Sequence, residues 1–117
     1  MGKCDKKLVL FKNEMIQVLL NLLKNAQEAL EDVDEPRIQV SIYEYDGSIK
    51  ISVEDNGTGI EQGNLEKIFE PYFSTKAQQG TGLGLYMSRV IITEHMNGSL
   101  YVENTNEGTK FVIALAD

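Results

Sequence analysis

The sequence predicts a two-layer α+β sandwich, in which helices pack on one face of a mixed sheet of about five strands. Apolar residues recur at helical spacing in two long segments and alternate with polar residues in several short ones. These segments intermix along the chain instead of forming separate blocks. The 117 residues, 42% hydrophobic and 25% charged, have the size and composition of one globular domain.

Charge and composition argue against several functional classes. Lys and Arg total 11 against 18 Asp and Glu, and no basic run suits nucleic acid or anionic lipid. No apolar stretch approaches the roughly 20 residues of a membrane helix, and the polar start lacks a signal core. The single Cys4 excludes an internal disulfide, which fits a reducing compartment. We interpret residues 1–7 as a tail or a cloning remnant and 8–117 as the domain.

The first predicted elements are a short strand at residues 8–11 and a long helix between residues 13 and 32. The helix follows from apolar residues at helical spacing with no Gly or Pro between them. Its polar residues share one face, and they are Gln17, Asn21, Lys24, Asn25 and Glu28. The breaker sequence at residues 34–36 ends the helix.

A β-hairpin follows the helix. Apolar and polar residues alternate over 38–42 and 49–53, and Asp46-Gly47 between them is a two-residue turn signal. Because side chains alternate between faces, Asp55 continues the apolar face of the second strand. We therefore expect a buried carboxylate, which needs a hydrogen-bond donor.

The second half of the chain is predicted to mix short helices and strands. The elements are a helix at 64–69 before Pro71, a polar loop at 74–79, a helix from Gly80 to Asn97-Gly98, and strands at 100–102 and 111–115. The two strands are joined by a polar turn at 104–108.

The glycines cluster in a way that suggests an anion site. Eight of the ten lie at or after position 57. A glycine loop that runs into a helix start presents free N–H groups and the positive dipole end to phosphate, and residues 80–85 have that form. They match neither the Walker loop nor the dinucleotide-binding glycine spacing. By itself this run leaves both phosphate binding and a tight turn open.

Three polar side chains are candidate ligands. Asn21 and Asn25 share a helix face, where their amide oxygens could hold Mg²⁺ beside phosphate or form part of a solvated stripe. Asp55 could accept a hydrogen bond from an exocyclic amine such as that of adenine, or cap the following turn. The pattern alone does not separate these alternatives.

The remaining candidates also have structural alternatives. Phe69, Tyr72 and Phe73 could wall a pocket or simply belong to the core. Lys76 in the polar loop could meet a phosphate or be a solvated surface lysine. The only histidine, His95, has no partner at metal-ligand or triad spacing, so we interpret it as structural or surface.

Taken in order, these motifs resemble the ATP-binding catalytic domain of sensor histidine kinases, in the superfamily shared with gyrase, MutL and a heat-shock chaperone. Residues 17–26 resemble the family's N box, 55–59 its first glycine box and 68–73 its F box. Residues 80–85 resemble the second glycine box, and 108–111 are similar to a closing strand. The resemblance covers nearly the whole chain and implies the Bergerat ATP-binding fold.

The resemblance also implies roles for individual residues. Asn21 and Asn25 would hold Mg²⁺ and, with Lys76 in a mobile lid, would serve catalysis, while Asp55 would bind the adenine amine. The nucleotide-binding residues that it implies are Asn25, Asp55, Gly57, Gly59, Ile60, Phe69, Phe73, Lys76, Gly80, Thr81, Gly82, Leu83, Gly84, Leu85 and Thr109.

The implied function is a kinase that binds ATP and Mg²⁺ and donates the γ-phosphate to a histidine on a separate dimerisation domain, which passes it to a response regulator. By the same resemblance, the ATP hydrolases of this superfamily have a Glu at the position of Asn21, and this Glu acts as the general base that takes a proton from water. An amide cannot take that proton. His95 does not match the phosphoacceptor. We expect a cytoplasmic domain without nucleic-acid or membrane contact, whose parent protein's membrane attachment is open.

Two other functions remain as alternatives. A self-contained ATPase or ATP-driven clamp would release phosphate steadily, and Asn21 speaks against it. A docking module that keeps the fold but has lost the nucleotide would fail to bind ATP.

Overall fold

Antiparallel strands form one layer of the structure, a computed structural model that describes residues 2–45, 47–71 and 83–116. The strands are β1 (Ile38–Tyr45), β2 (Ser48–Asp55), β3 (Ser99–Asn104) and β4 (Thr109–Ala116), in the sheet order β1-β2-β4-β3. Each neighbouring pair is antiparallel. The predicted hairpin is confirmed, and Gly47 in its turn has φ +80°, a conformation that glycine adopts without steric cost.

Helices form the second layer. They are α1 (Gly2–Ala29), short 3₁₀ turns at Gln62–Asn64 and Lys67–Phe69, and α2 (Gly84–Val90), which continues into a π-helical turn at Ile91–His95. This last helical segment ends at Asn97, which has φ +56°, and the Gly98 N–H then donates to the carbonyl of Ile92 at 2.8 Å. The end predicted at Asn97-Gly98 is thus capped by a left-handed residue. Within the described ranges, no helix has both the length and the apolar character that crossing a membrane requires.

The hydrophobic core lies between α1 and one face of the sheet. Val18, Leu22 and Ala26 recur every four residues along α1 and are buried. Ile16 and Leu20, which the apolar spacing also includes, are 45% and 61% exposed. The three buried residues belong to one cluster with inward-facing residues of β2, β3 and β4 and with the short helices, and the other members are Ile51, Val53, Ile68, Phe69, Ile91, Ile92, Leu100, Val102, Phe111 and Ile113. The apolar residues of β1 on the same face, Ile38, Val40 and Ile42, are exposed.

The opposite face of the sheet carries lysine and tyrosine side chains. The Nζ of Lys50 lies 5.7 Å from the ring centroid of Tyr101, and that of Lys110 lies 5.9 Å from the ring centroid of Tyr43. Val112, which shares this face, is buried nevertheless. The two-layer α+β architecture with helices on one face is therefore confirmed.

The predicted strand at residues 8–11 is wrong, because these residues belong to α1. A short apolar run fits a buried helix as well as a strand, and nothing between it and residue 13 breaks a helix. Without this strand the described residues contain a four-stranded, fully antiparallel sheet, not a mixed sheet of five. Helix α1 also includes residues 2–7, and their assignment as a tail stays a prediction.

Candidate functional site

Asp55 ends β2 at the edge of the core, on the face that the period of the strand predicts. It pairs with Thr109 at the start of β4, and both residues are only 3% exposed. The carboxylate Oδ1 accepts a hydrogen bond from the backbone N–H of Gly57 at 2.8 Å. Burial raises the pKa of Asp55 above its ordinary value, and Glu54 adds to the increase, while backbone hydrogen bonds from Gly57 and Thr109 oppose it. The site therefore holds a buried carboxyl group that keeps its acceptor role.

Two glycines allow the backbone to approach this carboxyl group closely. A Cβ on Gly57 would lie 2.7 Å from the carbonyl oxygen of Ala29 and 2.9 Å from Asp55 Oδ1. A Cβ on Gly108 would overlap the Asp55 carbonyl oxygen and lie 2.8 Å from the Gly57 nitrogen. Helix α1, the end of β2 and the start of β4 thus approach so closely at Gly57 and Gly108 that neither position has space for a side chain. Sequence reasoning placed Gly108 in a motif but not in the site.

Two asparagine side chains hold the loop that follows Asp55 through paired hydrogen bonds to backbone. Asn56 Nδ2 donates to the carbonyl of Glu35 and its Oδ1 accepts from the N–H of Arg37, each at 2.8 Å. Asn104 Nδ2 donates to the carbonyl of Ile60 at 2.6 Å, and its Oδ1 accepts from the N–H of Ile60 at 2.9 Å. The role of Asn104 was not predicted, because these partners are 44 residues apart.

A shallow polar cavity of about 290 Å³ lies beside this loop. It is lined by residues 57–60 and 104–108, and Gly59 at its edge has φ +84°. Asp55, Thr109 and Asn25 do not line it. The cavity is therefore next to the predicted adenine position and distinct from it.

Asn21 and Asn25 lie together on α1, facing the start of α2. Asn21 Nδ2 donates to Ser88 Oγ at 3.1 Å, and Asn25 Nδ2 donates to the backbone carbonyl of Asn21 at 2.8 Å. The ideal Cβ position of Gly84 lies 3.5 Å from Asn21 Oδ1. Both amides thus use their nitrogen for internal contacts, and Asn21 turns its oxygen to Gly84. The structure thus places Asn21 beside Gly84 and beside Asn25, while the role of these residues as Mg²⁺ ligands stays a prediction.

The donor set on α1 fits a Mg²⁺ ion that arrives with phosphate. Mg²⁺ prefers oxygen ligands and usually keeps several waters, with one or two protein ligands besides substrate phosphates. The carbonyl oxygens of Asn21 and Asn25 are ligands of that kind. Across the described ranges, no group of three or more His, Cys, Asp or Glu side chains could form a metal site of its own.

Phe69 lies in the core, at the end of the 3₁₀ turn Lys67–Phe69. Its ring meets Phe111 edge-on, with the centroids 6.3 Å apart. The guanidinium carbon of Arg89 lies over the Phe69 ring, 4.3 Å from its centroid, and Arg89 also pairs with Glu66 at 3.1 Å. Arg89 thereby ties α2 to the 3₁₀ turns. Leu85 packs against the same core.

Leu83 precedes α2 at its N-cap. Other candidate residues lie outside the described residues, so their roles stay predictions, and they are Tyr72, Phe73, Lys76, Gly80, Thr81 and Gly82.

His95 lies apart from these residues, at the end of the π-helical turn. Its Nδ1 is 2.5 Å from Oε2 of Glu14 on α1, and the imidazole is partly exposed. This contact agrees with a structural or surface role.

The chain is similar in sequence to proteins of known families. Residues 12–117 match the family model described as histidine kinase-, DNA gyrase B-, and HSP90-like ATPase. The chain is 42% identical over 99 residues to the C4-dicarboxylate transport sensor protein DctB of Rhizobium meliloti, covering 85% of this chain and 16% of that protein. It is 43% identical over 99 residues to the signal transduction histidine-protein kinase AtoS of Escherichia coli, with the same coverage of 85% and 16%.

Solved structures of histidine kinases are also similar to this chain. The catalytic domain of histidine kinase ThkA matches with a TM-score of 0.79 at 32% identity, covering 89% of this chain and 66% of that one. ThkA in complex with the response regulator protein TrrA matches with a TM-score of 0.69 at 31% identity, covering 85% and 27%. The chain thus spans about one sixth of the curated relatives named above.

Proposed function

Because the chain belongs to the histidine kinase-, DNA gyrase B-, and HSP90-like ATPase family, we propose that it is the ATP-binding catalytic domain of a sensor histidine kinase. It binds ATP with Mg²⁺ and transfers the γ-phosphate to a histidine side chain on a separate dimerisation domain. The phosphoryl group then passes to an aspartate of a response regulator. The domain works in the cytoplasm, where ATP is available.

The buried carboxyl group of Asp55 is the observation that carries this proposal. It is 3% exposed at a strand end, and Gly57 and Gly108 leave room for backbone only. A carboxylate in such surroundings is a strong acceptor for one amine, because the local dielectric is low and water is excluded. The exocyclic amine of adenine supplies that donor, with Thr109 beside it on the next strand.

The other residues of the site bind and orient the phosphates. The amide oxygens of Asn21 and Asn25 hold Mg²⁺ beside the phosphate oxygens, and the glycine run that ends at Gly84 receives the phosphate chain. When bound, Mg²⁺ neutralises charge that develops on the transferred group. Catalysis by this domain consists mainly of positioning, because its own residues form no covalent bond to the phosphoryl group.

Asn21 favours transfer over hydrolysis. Its amide is fixed by Ser88 and cannot accept a proton from water near neutral pH. The only histidine of the chain, His95, contacts Glu14 at the end of the π-helical turn. We therefore assign the acceptor histidine to a separate domain.

Calorimetric titration of the chain with ATP and ADP, each with Mg²⁺ and with EDTA, tests the proposal together with a phosphate-release assay. We expect binding that Mg²⁺ strengthens and negligible release of phosphate. Steady release would favour the self-contained ATPase instead. Failure to bind either nucleotide would contradict the proposal and favour a docking module.

A further inference from the structure

Ser88 is a fully buried polar side chain that has no direct part in the proposed reaction. It lies on α2 at 0% exposure, and its Oγ accepts a hydrogen bond from Asn21 Nδ2 at 3.1 Å, across 67 residues of sequence. Buried polar groups need partners, because leaving one unpaired costs free energy. Each of these two side chains therefore constrains the other.

This hydrogen bond decides which end of the Asn21 amide faces outward from the contact. With Nδ2 held at Ser88, Oδ1 points to the side of Gly84, 3.5 Å from that residue's ideal Cβ position. A carboxamide turned by a half rotation would present its NH₂ group there instead. An NH₂ group is only a donor, so it cannot ligand a cation.

Asn25 does not depend on Ser88 in the same way. Its Nδ2 is held by the backbone carbonyl of Asn21, within α1 itself. Loss of the Ser88 hydroxyl therefore removes the anchor of one amide of the pair and leaves the other in place.

We propose that Ser88 is a positioning residue that keeps the Asn21 amide oxygen directed to the metal side of the site. The inference rests on the proposed function, in which that oxygen is a Mg²⁺ ligand. Ser88 itself contacts neither the metal nor the nucleotide, so it acts only through Asn21. Substitution of Ser88 should consequently change how much Mg²⁺ strengthens ATP binding, and it should leave ATP binding in the absence of Mg²⁺ unchanged.

The test compares Ser88→Ala and Ser88→Cys with the wild-type chain. The cysteine variant keeps the shape of the side chain, with a larger sulfur atom and a weak acceptor, so it separates loss of the hydrogen bond from loss of packing. Ser52→Ala is the matched control, because Ser52 is also a buried serine, 3% exposed on β2. For each protein, calorimetry gives the ratio of the ATP dissociation constant in EDTA to that in Mg²⁺.

We expect the ratio to fall about fivefold in both Ser88 variants, the size of effect associated with one net hydrogen bond. The dissociation constant in EDTA and the ratio for Ser52→Ala should stay within about twofold of wild type. In an Asn21→Ala background, Ser88→Ala should change the ratio no further. Such non-additivity is expected when one residue acts through the other, whereas a general packing defect would persist in the double variant.

A second readout uses the chain without nucleotide or metal. The side-chain amide resonances of Asn21, assigned by their loss in Asn21→Ala, should shift in Ser88→Ala and stay in place in Ser52→Ala. Thermal unfolding of each variant checks that the fold is retained.

The outcomes separate this inference from the function on which it rests. If the wild-type chain binds no nucleotide, the proposed function fails. If it binds ATP but Mg²⁺ gives no assistance, the metal role of Asn21 fails, and the inference with it. Two outcomes would overturn the inference alone, provided that Mg²⁺ assists the wild-type chain. Either Ser88→Ala has the same ratio as wild type, or Ser88→Ala lowers the ratio as much in the Asn21→Ala background as in the wild-type background.

Discussion

The two ends of the candidate site are built in different ways. The carboxylate region consists of Asp55, Gly57, Gly108 and Thr109, which are held by close backbone contact at the junction of β2, β4 and α1. The amide region consists of Asn21, Asn25, Gly84 and Ser88, which meet through side chains on two helices. Where backbone atoms are in close contact, an added side chain must displace the backbone. A contact between side chains can be removed by substitution while the helices stay in place. The first region should therefore couple folding to nucleotide binding, and the second should tune the metal.

The largest effect is expected from Gly108→Ala in the carboxylate region. The added Cβ would overlap the Asp55 carbonyl oxygen, and backbone atoms cannot move aside as a side chain can. We expect the free energy of unfolding to fall by about 3 kcal/mol in urea denaturation. Gly63→Ala is the matched control, since nothing lies within 4 Å of that position. Equal unfolding midpoints for the two variants would contradict the close approach.

Asp55→Asn should remove most ATP binding while the fold is retained. The variant keeps an oxygen for the Gly57 N–H but loses the charge that accepts the adenine amine. We expect the ATP dissociation constant to rise about thirtyfold, as for a hydrogen bond to a charged group. Glu54→Gln, one residue away on the other face of β2, should bind ATP normally. An unchanged dissociation constant in Asp55→Asn would remove Asp55 from the adenine site.

The same substitution should change how stability depends on pH. Because burial raises the pKa of Asp55, the folded chain holds this proton more tightly than the unfolded chain. The stabilisation from Asp55 is thus full below its ordinary pKa of 3.8 and is lost as pH rises through the raised value. The unfolding free energy of Asp55→Asn relative to wild type should therefore increase over that window. A constant difference in urea titrations from acid to neutral pH would show that the pKa is not raised.

A smaller and more selective effect is expected from Asn25→Ala in the amide region. Removing one oxygen ligand should lower the assistance that Mg²⁺ gives to ATP binding about fivefold, while ATP binding in EDTA stays within about twofold. Gln17→Ala provides the control, because Gln17 lies on the same polar face but is exposed. If calorimetry gave an equal loss with and without Mg²⁺, Asn25 would contact the nucleotide directly instead.

The smallest effect is expected at the rim of the carboxylate region. Arg37 and Glu107 form an ion pair at 2.9 Å, with side chains 67% and 65% exposed. Such exposed pairs are screened by water, so Glu107→Gln should change the free energy of unfolding by less than about 0.5 kcal/mol. ATP affinity should be unchanged. A loss of affinity in the calorimeter would extend the binding site to the β3–β4 turn.

Local periodicity made several features predictable. The spacing of apolar residues placed Asn21 and Asn25 on one face of α1, and the structure has them there. The alternation along β2 placed Asp55 on the buried face, where it is found. Both predictions depend on repeats of about two and about 3.6 residues, which the chain itself encodes.

The strand predicted at residues 8–11 shows the limit of that signal. A run of a few apolar residues is compatible with either period, and here it continues α1. The described sheet therefore has one strand fewer than predicted.

By itself, the sequence determined which side chains share a face and the order of the motifs that identify the family. Only the tertiary structure decided which distant residues meet: Gly108 against the Asp55 carbonyl, Asn104 on Ile60, and Ser88 on Asn21. These contacts join positions that are 44 to 67 residues apart. Periodicity describes neighbours along one element, whereas such contacts depend on how the helix layer docks on the sheet.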